Sequence, residues 1–521
     1  MIINNKRITI FDCTLRDGGY YTNWDFPDSL VEKYLRSMST LPIDYIELGY
    51  RSLDVLGYHG EYNYLPLSVL QKCTKWCPNK KKAVMINLKE VNEKSIVPLL
   101  QHLSDYVEMI RFATRPEDVE KAIQMAKVVK SHGLKVAINV MYMSTWVDKP
   151  IFASCLEGKE DCVDYLIMVD SYGSVYPSQL GSCVAQLKEH YKGEIGFHGH
   201  NNLELAFANT LAAIEAGVDV VDATMSGMGR GAGNLRMELL LAYLSKYDSS
   251  ISLNSIMDTL EDFEHLRQQY QWGTNLPYMI SGCNSLPQKD IMEWITKKRY
   301  STSSIIQLLQ AHIQPKVAQE LSYPQLPAAT NESFISFLIG GGESIPTHIN
   351  AILELIQTQP AKVRLIFSSA KHLSLFDDVP ADVERYIYLV GIEGRRIEKQ
   401  ISSVRSTDHF VVMKQATQME MYVPKTISSQ IFTLPCASKE DTFSDSPLYV
   451  SLQIAQYFKV DEIYLLGYDG YEYGAQNDAY NLMEENQKIL DSFAGNQKLY
   501  SLLPTKYQHI QERSLYSMLA L

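Results

Sequence analysis

From Ile8 onwards, short runs of consecutive apolar residues alternate with longer amphipathic segments. The runs are ITIFDCTL (8–15), YIELGY (45–50), KAVMINL (82–88), MIRFAT (109–114), KVAINVMY (135–142), YLIMVDS (165–171), EIGFHGH (194–200) and DVVDATMSG (219–227). Runs apolar on consecutive positions and rich in β-branched residues read as strands covered on both faces, and strict alternation with helical segments implies parallel pairing. Eight such units in roughly 250 residues is the arithmetic of a (β/α)8 TIM barrel.

A doubly wound open sheet gives the same alternation. The polar residues separate the two. Arg16 and Asp17 follow the first run, Glu47, Asn87, Arg111 and Asn139 lie in the next four, Asp170 and Ser171 end the sixth, His198 and His200 the seventh, and Asp222 and Thr224 sit in the eighth. In a closed barrel the strand ends converge on one mouth, whereas an open sheet spreads them by about 4.8 Å per strand. The pattern therefore favours the barrel.

Helical segments continue over 253–270 and near 290–322, and the polar stretch YPQLPAATNES (323–333) marks a boundary. Beyond it the β–α alternation restarts with SFISFLIGGGES (333–344), VRLIFSS (363–369), RYIYLVG (385–391), HFVVM (409–413), SQIFTLP (429–435), the helix PLYVSLQIAQYF and EIYLLGYDG (462–470). Two domains are expected: a barrel with trailing helices over 1–325, and a smaller Rossmann-like α/β domain over 326–521.

Composition adds exclusions. The 521 residues are 46% hydrophobic and 21% charged, an ordinary globular balance that argues against disorder. Forty-eight Lys+Arg against 60 Asp+Glu give a net charge of −12, which repels polyanions and makes nucleic acid an unexpected partner. The eight cysteines, Cys13, Cys73, Cys77, Cys155, Cys162, Cys183, Cys283 and Cys436, are scattered without zinc-finger spacing, as in a reduced compartment. No signal sequence and no run of about 18 apolar residues is evident, so a cytoplasmic protein without a membrane partner is expected.

The strongest chemical cluster is Asp17, His198 and His200. Histidines at i and i+2 on a strand share a face, and a barrel brings the first strand end beside them, so a carboxylate and two imidazoles can meet on one divalent ion. An H-x-H pair also reads as two satisfied polar residues at a strand end. The segments DCTLRDGGY (12–20) and GFHGHNNLELAFANTLAAIEAGVDVVDATMSGMGRGAGN (196–234) resemble the signature blocks of the DRE-TIM metallolyase, or HMGL-like, superfamily. Within it they are most similar to the 4-hydroxy-2-oxovalerate aldolases.

The resemblance implies a metal-dependent aldolase on a TIM barrel. Asp17, His198, His200 and Asn234 match metal ligands, Arg16 the arginine that stabilises the enolate, Ser171 a carboxylate contact, and Tyr278 an aromatic hydroxyl near the aldehyde. The implied cofactor is a divalent metal, Mn2+ foremost, with Mg, Co or Zn as alternatives. The substrates would be a small 2-oxo acid and an aldehyde.

One position departs from the pattern. Those aldolases carry a histidine three residues after the metal-binding aspartate, where this chain has Tyr20, a poor base near neutral pH. His59, in the loop RSLDVLGYHGEYNYLP, is the candidate replacement. Arg51 in that loop, together with Arg111 and Asn139, is expected to bind the anionic substrate. In the second domain, Gly340, Gly341 and Gly342 end a strand before a helix, and with Asp469 they form a candidate nucleotide or nucleotide-sugar site. That domain is also weakly similar to sialyltransferase and pterin-pyrophosphokinase-like Rossmann domains.

The expected activity is C–C bond making or breaking between pyruvate enolate and an aldehyde, with a place in surface-polysaccharide sugar synthesis. An acyl-CoA carboxyalkyl transferase and a non-catalytic barrel with a regulatory second domain are the alternatives. The loop SGMGRGAGN lacks the lyase branch's cysteine, which argues against a CoA-thioester lyase. The second domain does not resemble the helical domain that docks these aldolases onto a dehydrogenase, so no channelling partner is expected. A homo-oligomer stays open.

Overall fold

The computed structural model describes residues 2–3, 6–297, 299–313, 323–328, 333–413, 422–435, 443–471, 477–495 and 497–519. It forms two compact units, Met1–Met292 and Glu293–Leu521. The division falls well before residue 325, because the segment expected to trail the barrel is tied into the second unit. Arg299 pairs there with Asp445 and Glu485, and its carbonyl accepts from the Ile392 amide at 2.8 Å.

In the first unit β1 (Thr9–Asp12), β2 (Tyr45–Tyr50), β3 (Lys81–Asn87), β4 (Met109–Thr114), β5 (Lys135–Val140), β6 (Tyr165–Asp170), β7 (Glu194–Gly199) and β8 (Val220–Ala223) close into a parallel barrel in chain order, β8 pairing back onto β1. Inward side chains such as Phe11, Tyr45, Met109, Tyr165 and Val220 fill its lower interior, with Phe11 stacked on Tyr45 at 4.3 Å between centroids. The outward faces bury a continuous apolar layer under the helices.

The run 8–15 is not one strand. It stops at Asp12, whose carboxylate accepts from the Thr14 amide at 2.9 Å and turns the chain into α1 (Thr14–Thr22). Gly18 and Gly19 sit inside α1 because neighbours press on it. A Cβ at Gly19 would lie 2.0 Å from the Trp24 indole, and one at Gly18 would lie 2.5 Å from the Met228 sulfur.

In the second unit β9 (Phe334–Ile339), β10 (Lys362–Phe367), β11 (Glu384–Tyr388), β12 (His409–Met413), β13 (Ile431–Leu434), β14 (Glu462–Leu466), β15 (Lys498–Ser501) and β16 (Gln511–Glu512) form a parallel open sheet in the order β13-β12-β11-β10-β9-β14-β15-β16. The order reverses between β9 and β14, the arrangement of a doubly wound sheet. The last two strands are only four and two residues long, too short to register as hydrophobic runs. Among the described residues no helix is long and apolar enough to cross a membrane. Seven cysteines are free thiols; Cys436 lies outside the described residues.

Candidate active site

The C-terminal ends of the barrel strands bring Asp17, His198, His200 and Asn234 together. His198 on β7 and His200 just beyond it have rings 5.2 Å apart and nearly perpendicular. His198 Nδ1 lies 2.9 Å from Asp222 Oδ2, and His200 Nδ1 lies 2.9 Å from the Ser171 carbonyl. Each acceptor holds Nδ1 as N–H, so each Nε2 presents a lone pair, the arrangement that orients metal-ligating histidines. Confinement, with His198 beside it, pushes the His200 pKa down to about 3, so that ring is neutral at any working pH.

The Asp17 carboxylate lies 3.7 Å from His198 Nε2 and accepts from Asn234 Nδ2 at 2.7 Å. Asn234 Oδ1 is buried without a hydrogen-bond partner. Two imidazole nitrogens, a carboxylate and an orphaned amide oxygen are a donor set that fits a divalent ion with positions left open.

Cys13, His198 and Asp222 also cluster, with ligand atoms within 4.8 Å of one another. These three are the poorer donor set, because Asp222 is already spent. Its carboxylate accepts from Arg111 at 2.5 Å and from His198, and although burial alone would raise its pKa, these two partners pull it below the usual range. The same Arg111 guanidinium lies 3.2 Å from the Cys13 sulfur, where it would repel a metal.

Arg111 is therefore not a substrate contact, contrary to expectation. It is fully buried beneath the mouth, paired with Asp222 and Glu47, and hydrogen-bonded at 3.3 Å to Asn139. Arg16 sits one level higher, 2.9 Å from Glu47 through Nε and in close contact with Asp17. Burial would lower its pKa, but Asp17 and Glu47 outweigh this and keep it charged.

Above these groups lies a cavity of about 410 Å³ lined by Arg16, Asp17, Tyr20, Asn139, Ser171 and both histidines. Three expected residues do not reach it. Arg51 is tied to the carbonyls of Tyr64, Leu65 and Leu99, holding its loop. His59 packs near Trp24 with Nδ1 buried and unpaired. Tyr278, in α2 (Leu276–Cys283), is buried where its ring would meet a Cβ on Gly231.

Tyr50 and Arg230 are among the lining residues that the sequence reading does not single out. Tyr50 ends β2, and its hydroxyl is 2.7 Å from that of Tyr20. It is set by a register shift between Glu47 and Tyr50 at Gly49, whose φ of +155° lets the Tyr62 carbonyl approach to 2.0 Å of a would-be Cβ. Arg230 follows β8 and lies 3.6 Å over the Tyr20 ring. The signals were present, a tyrosine closing YIELGY and an arginine inside GMGRGAG, but neither residue type announces chemistry by spacing.

In the second unit a cavity of about 570 Å³ lies between the ends of β9 and β14, lined by Gly340–Gly342 and Asp469. The space beside the glycine turn is taken by a carboxylate of the protein itself. With α3 as Gln288–Thr296 and α4 as Ser344–Thr358, the Asp469 carboxylate covers the N-terminus of α4, accepting from the Ser344 amide at 2.9 Å and from its hydroxyl. A Cβ at Gly342 would lie 2.6 Å from that carboxylate, and one at Gly340 2.4 Å from the Gly467 carbonyl. These glycines serve packing, and the charge already at the helix end opposes a second anion.

The HMGL-like family matches residues 7–263. The chain is 31% identical over 265 residues to the 4-hydroxy-2-oxovalerate aldolase of Carboxydothermus hydrogenoformans, covering 49% of this chain and 77% of that protein. It is 26% identical over 313 residues to the oxaloacetate decarboxylase of Mycobacterium tuberculosis, covering 59% of this chain and 92% of that protein. The crystal structure of the N-terminal domain of a Bacteroides vulgatus protein assigned as an aldolase superposes with a TM-score of 0.54 at 44% identity, covering 58% of this chain and 100% of that one.

Proposed function

The chain belongs to the HMGL-like family, and from that footing we propose that it is a divalent-metal-dependent carbon–carbon lyase that forms the enolate of pyruvate from a substituted 2-oxo acid. The observation that carries this reading is the pair of Nε2 lone pairs beside Asp17 and the orphaned Asn234 Oδ1. Asp17, His198, His200 and Asn234 would hold the ion, Mn2+ foremost. Bound there, it supplies Lewis-acid polarisation of the 2-oxo carbonyl.

The chain's own residues do the rest. Arg16, kept charged by Asp17 and Glu47, offers positive charge where the enolate oxygen develops its negative charge. Ser171 and Asn139 line the same wall and are placed to hold the substrate carboxylate. In retro-aldol cleavage the 4-hydroxyl proton leaves, the C3–C4 bond breaks, the electron pair passes to the enolate, and C3 takes up a proton. The hydrogen-bonded phenols of Tyr20 and Tyr50 are the proton carriers on this cavity wall. Burial raises the Tyr50 pKa, so it works as a donor.

That last feature supports a second reading. Among the described lining residues the only imidazoles are the two assigned to the metal, so no base stands ready for the 4-hydroxyl. Decarboxylation of a 2-oxo acid that carries a second carboxylate on C3, as oxaloacetate does, breaks the C3–carboxylate bond, releases CO2, yields the same enolate and needs only a proton donor.

The test couples pyruvate release to lactate dehydrogenase in the Mn2+-loaded protein, with 4-hydroxy-2-oxovalerate and oxaloacetate in parallel and a metal-only blank. Metal-dependent release that His198→Ala abolishes is expected. Turnover indifferent to chelation would overturn the lyase reading, as would release of thiol from acetyl-CoA with a 2-oxo acid. Release from oxaloacetate alone selects the decarboxylase.

A further inference from the structure

The barrel mouth carries more positive charge than the proposed chemistry uses. Of the residues lining its cavity only Asp17 is acidic, whereas Arg16, Lys89, Arg230 and Lys289 are basic. Arg16 is neutralised by Asp17 and Glu47 beneath it. Among the described residues the other three have no carboxylate partner within salt-bridge distance. Lys89 follows β3, Lys289 is the second residue of α3 and Arg230 follows β8, so three separate elements deliver a cation without a carboxylate partner to one rim, all of them exposed. This occurs on a chain of net charge −12.

The 2-oxo acid head accounts for none of these three. Its carboxylate and carbonyl are met deep in the cavity by Arg16, Ser171, Asn139 and the metal-binding set. The cavity of about 410 Å³ also exceeds what a five-carbon 4-hydroxy-2-oxo acid needs. Uncompensated cations at a rim raise the local concentration of anions and favour a ligand whose far end is charged.

We propose that the half of the substrate distal to the 2-oxo acid ends in a fixed negative charge, a carboxylate or a phosphate, which Lys89 and Lys289 receive with Arg230. This rests on the lyase reading for the head of the substrate but not for the tail, and the two can be tested apart.

The experiment is calorimetric titration of the Mn2+-loaded full chain with two six-carbon 2-oxo acids, 2-oxohexanoate and 2-oxoadipate, which differ only in the terminal carboxylate. The expected result is at least about tenfold tighter binding of 2-oxoadipate, a ratio that falls towards one at high salt and in Lys89→Ala/Lys289→Ala. Equal affinities, no binding of 2-oxoadipate, or a ratio that survives in the double variant each overturn the proposal. If 2-oxoadipate binds preferentially but no pyruvate is released from any substrate, only the lyase reading fails. Condensation of pyruvate with succinic semialdehyde and with glyceraldehyde 3-phosphate, compared with acetaldehyde, then tells a carboxylate tail from a phosphate tail. Unchanged acetaldehyde turnover in the double variant shows that the lysines act on the tail alone.

Discussion

The two parallel sheets each end in a polar cavity, and the difference lies in what their charges are doing. In the open sheet, Lys371 pairs with Glu343, Arg396 with Glu393, Lys297 and Arg299 with Asp445, and Asp469 with the start of α4. In the barrel, the charges beneath the mouth are paired, although Glu47 Oε1 and Asp222 Oδ1 keep no hydrogen bond, and above them two imidazole nitrogens, an amide oxygen and three cations are left over among the described residues. Both cavities sit where parallel sheets bind ligands. Position at the strand ends therefore nominates a site, and groups left uncompensated there identify one.

The largest expected effect tests the buried base of that contrast. Arg111→Met removes the cation from between Asp222 and Glu47, leaving two carboxylates in the barrel interior. Breaking such a pair costs about 3–5 kcal/mol. Equilibrium urea unfolding monitored through the barrel tryptophans should show a loss in this range. A loss under about 1 kcal/mol would mean that the buried lattice does not fix the mouth.

Next is a pH effect. Burial raises the Asp12 pKa to about 6, although Tyr34 and Thr14 donate to its carboxylate. The folded state thus holds this proton more tightly than the unfolded chain, whose aspartates titrate near 3.9. The contribution of Asp12 is full below about pH 4 and is lost as pH rises through 6, a swing of about 3 kcal/mol by pH 7. The stability of wild type minus that of Asp12→Asn should fall across this window. A difference that stays flat between pH 4 and 7 would refute the assignment.

Much of this was legible in the sequence. All eight barrel strands follow the apolar runs, and the meeting of Asp17, His198, His200 and Asn234 at one mouth follows from the H-x-H pair, the aspartate after β1 and the family blocks. Failure came where spacing carries no information about direction. Arg51 and Arg111 look alike as arginines near strand ends, yet one is absorbed by three carbonyls and the other by two carboxylates. The triple glycine reads equally as a phosphate turn and as room for Asp469, and only the partner across the sheet decides between them.

A smaller effect probes the mouth alone. Tyr50→Phe deletes the hydroxyl that lies 2.7 Å from that of Tyr20 and leaves the ring in place. Turnover should fall about 10- to 100-fold with the melting temperature nearly unchanged, since general acid–base groups are worth on the order of 10²–10⁴-fold. Unchanged turnover would release the phenol pair from any role in proton transfer. A fall matched by lost stability would make Tyr50 a packing residue.

The smallest effect tests the other side. If the Asp469 carboxylate is an ordinary helix cap, Asp469→Ala should cost only about 1 kcal/mol. Gly342→Ala should cost more in wild type, because its Cβ would stand 2.6 Å from that carboxylate, than in the Asp469→Ala background, where the obstacle is gone. The double-mutant cycle over these two positions should therefore yield a clear favourable coupling in the unfolding free energy. Additive losses would free Gly342 from Asp469 and reopen the glycine turn as a ligand cradle, and the contrast between the two cavities would then narrow.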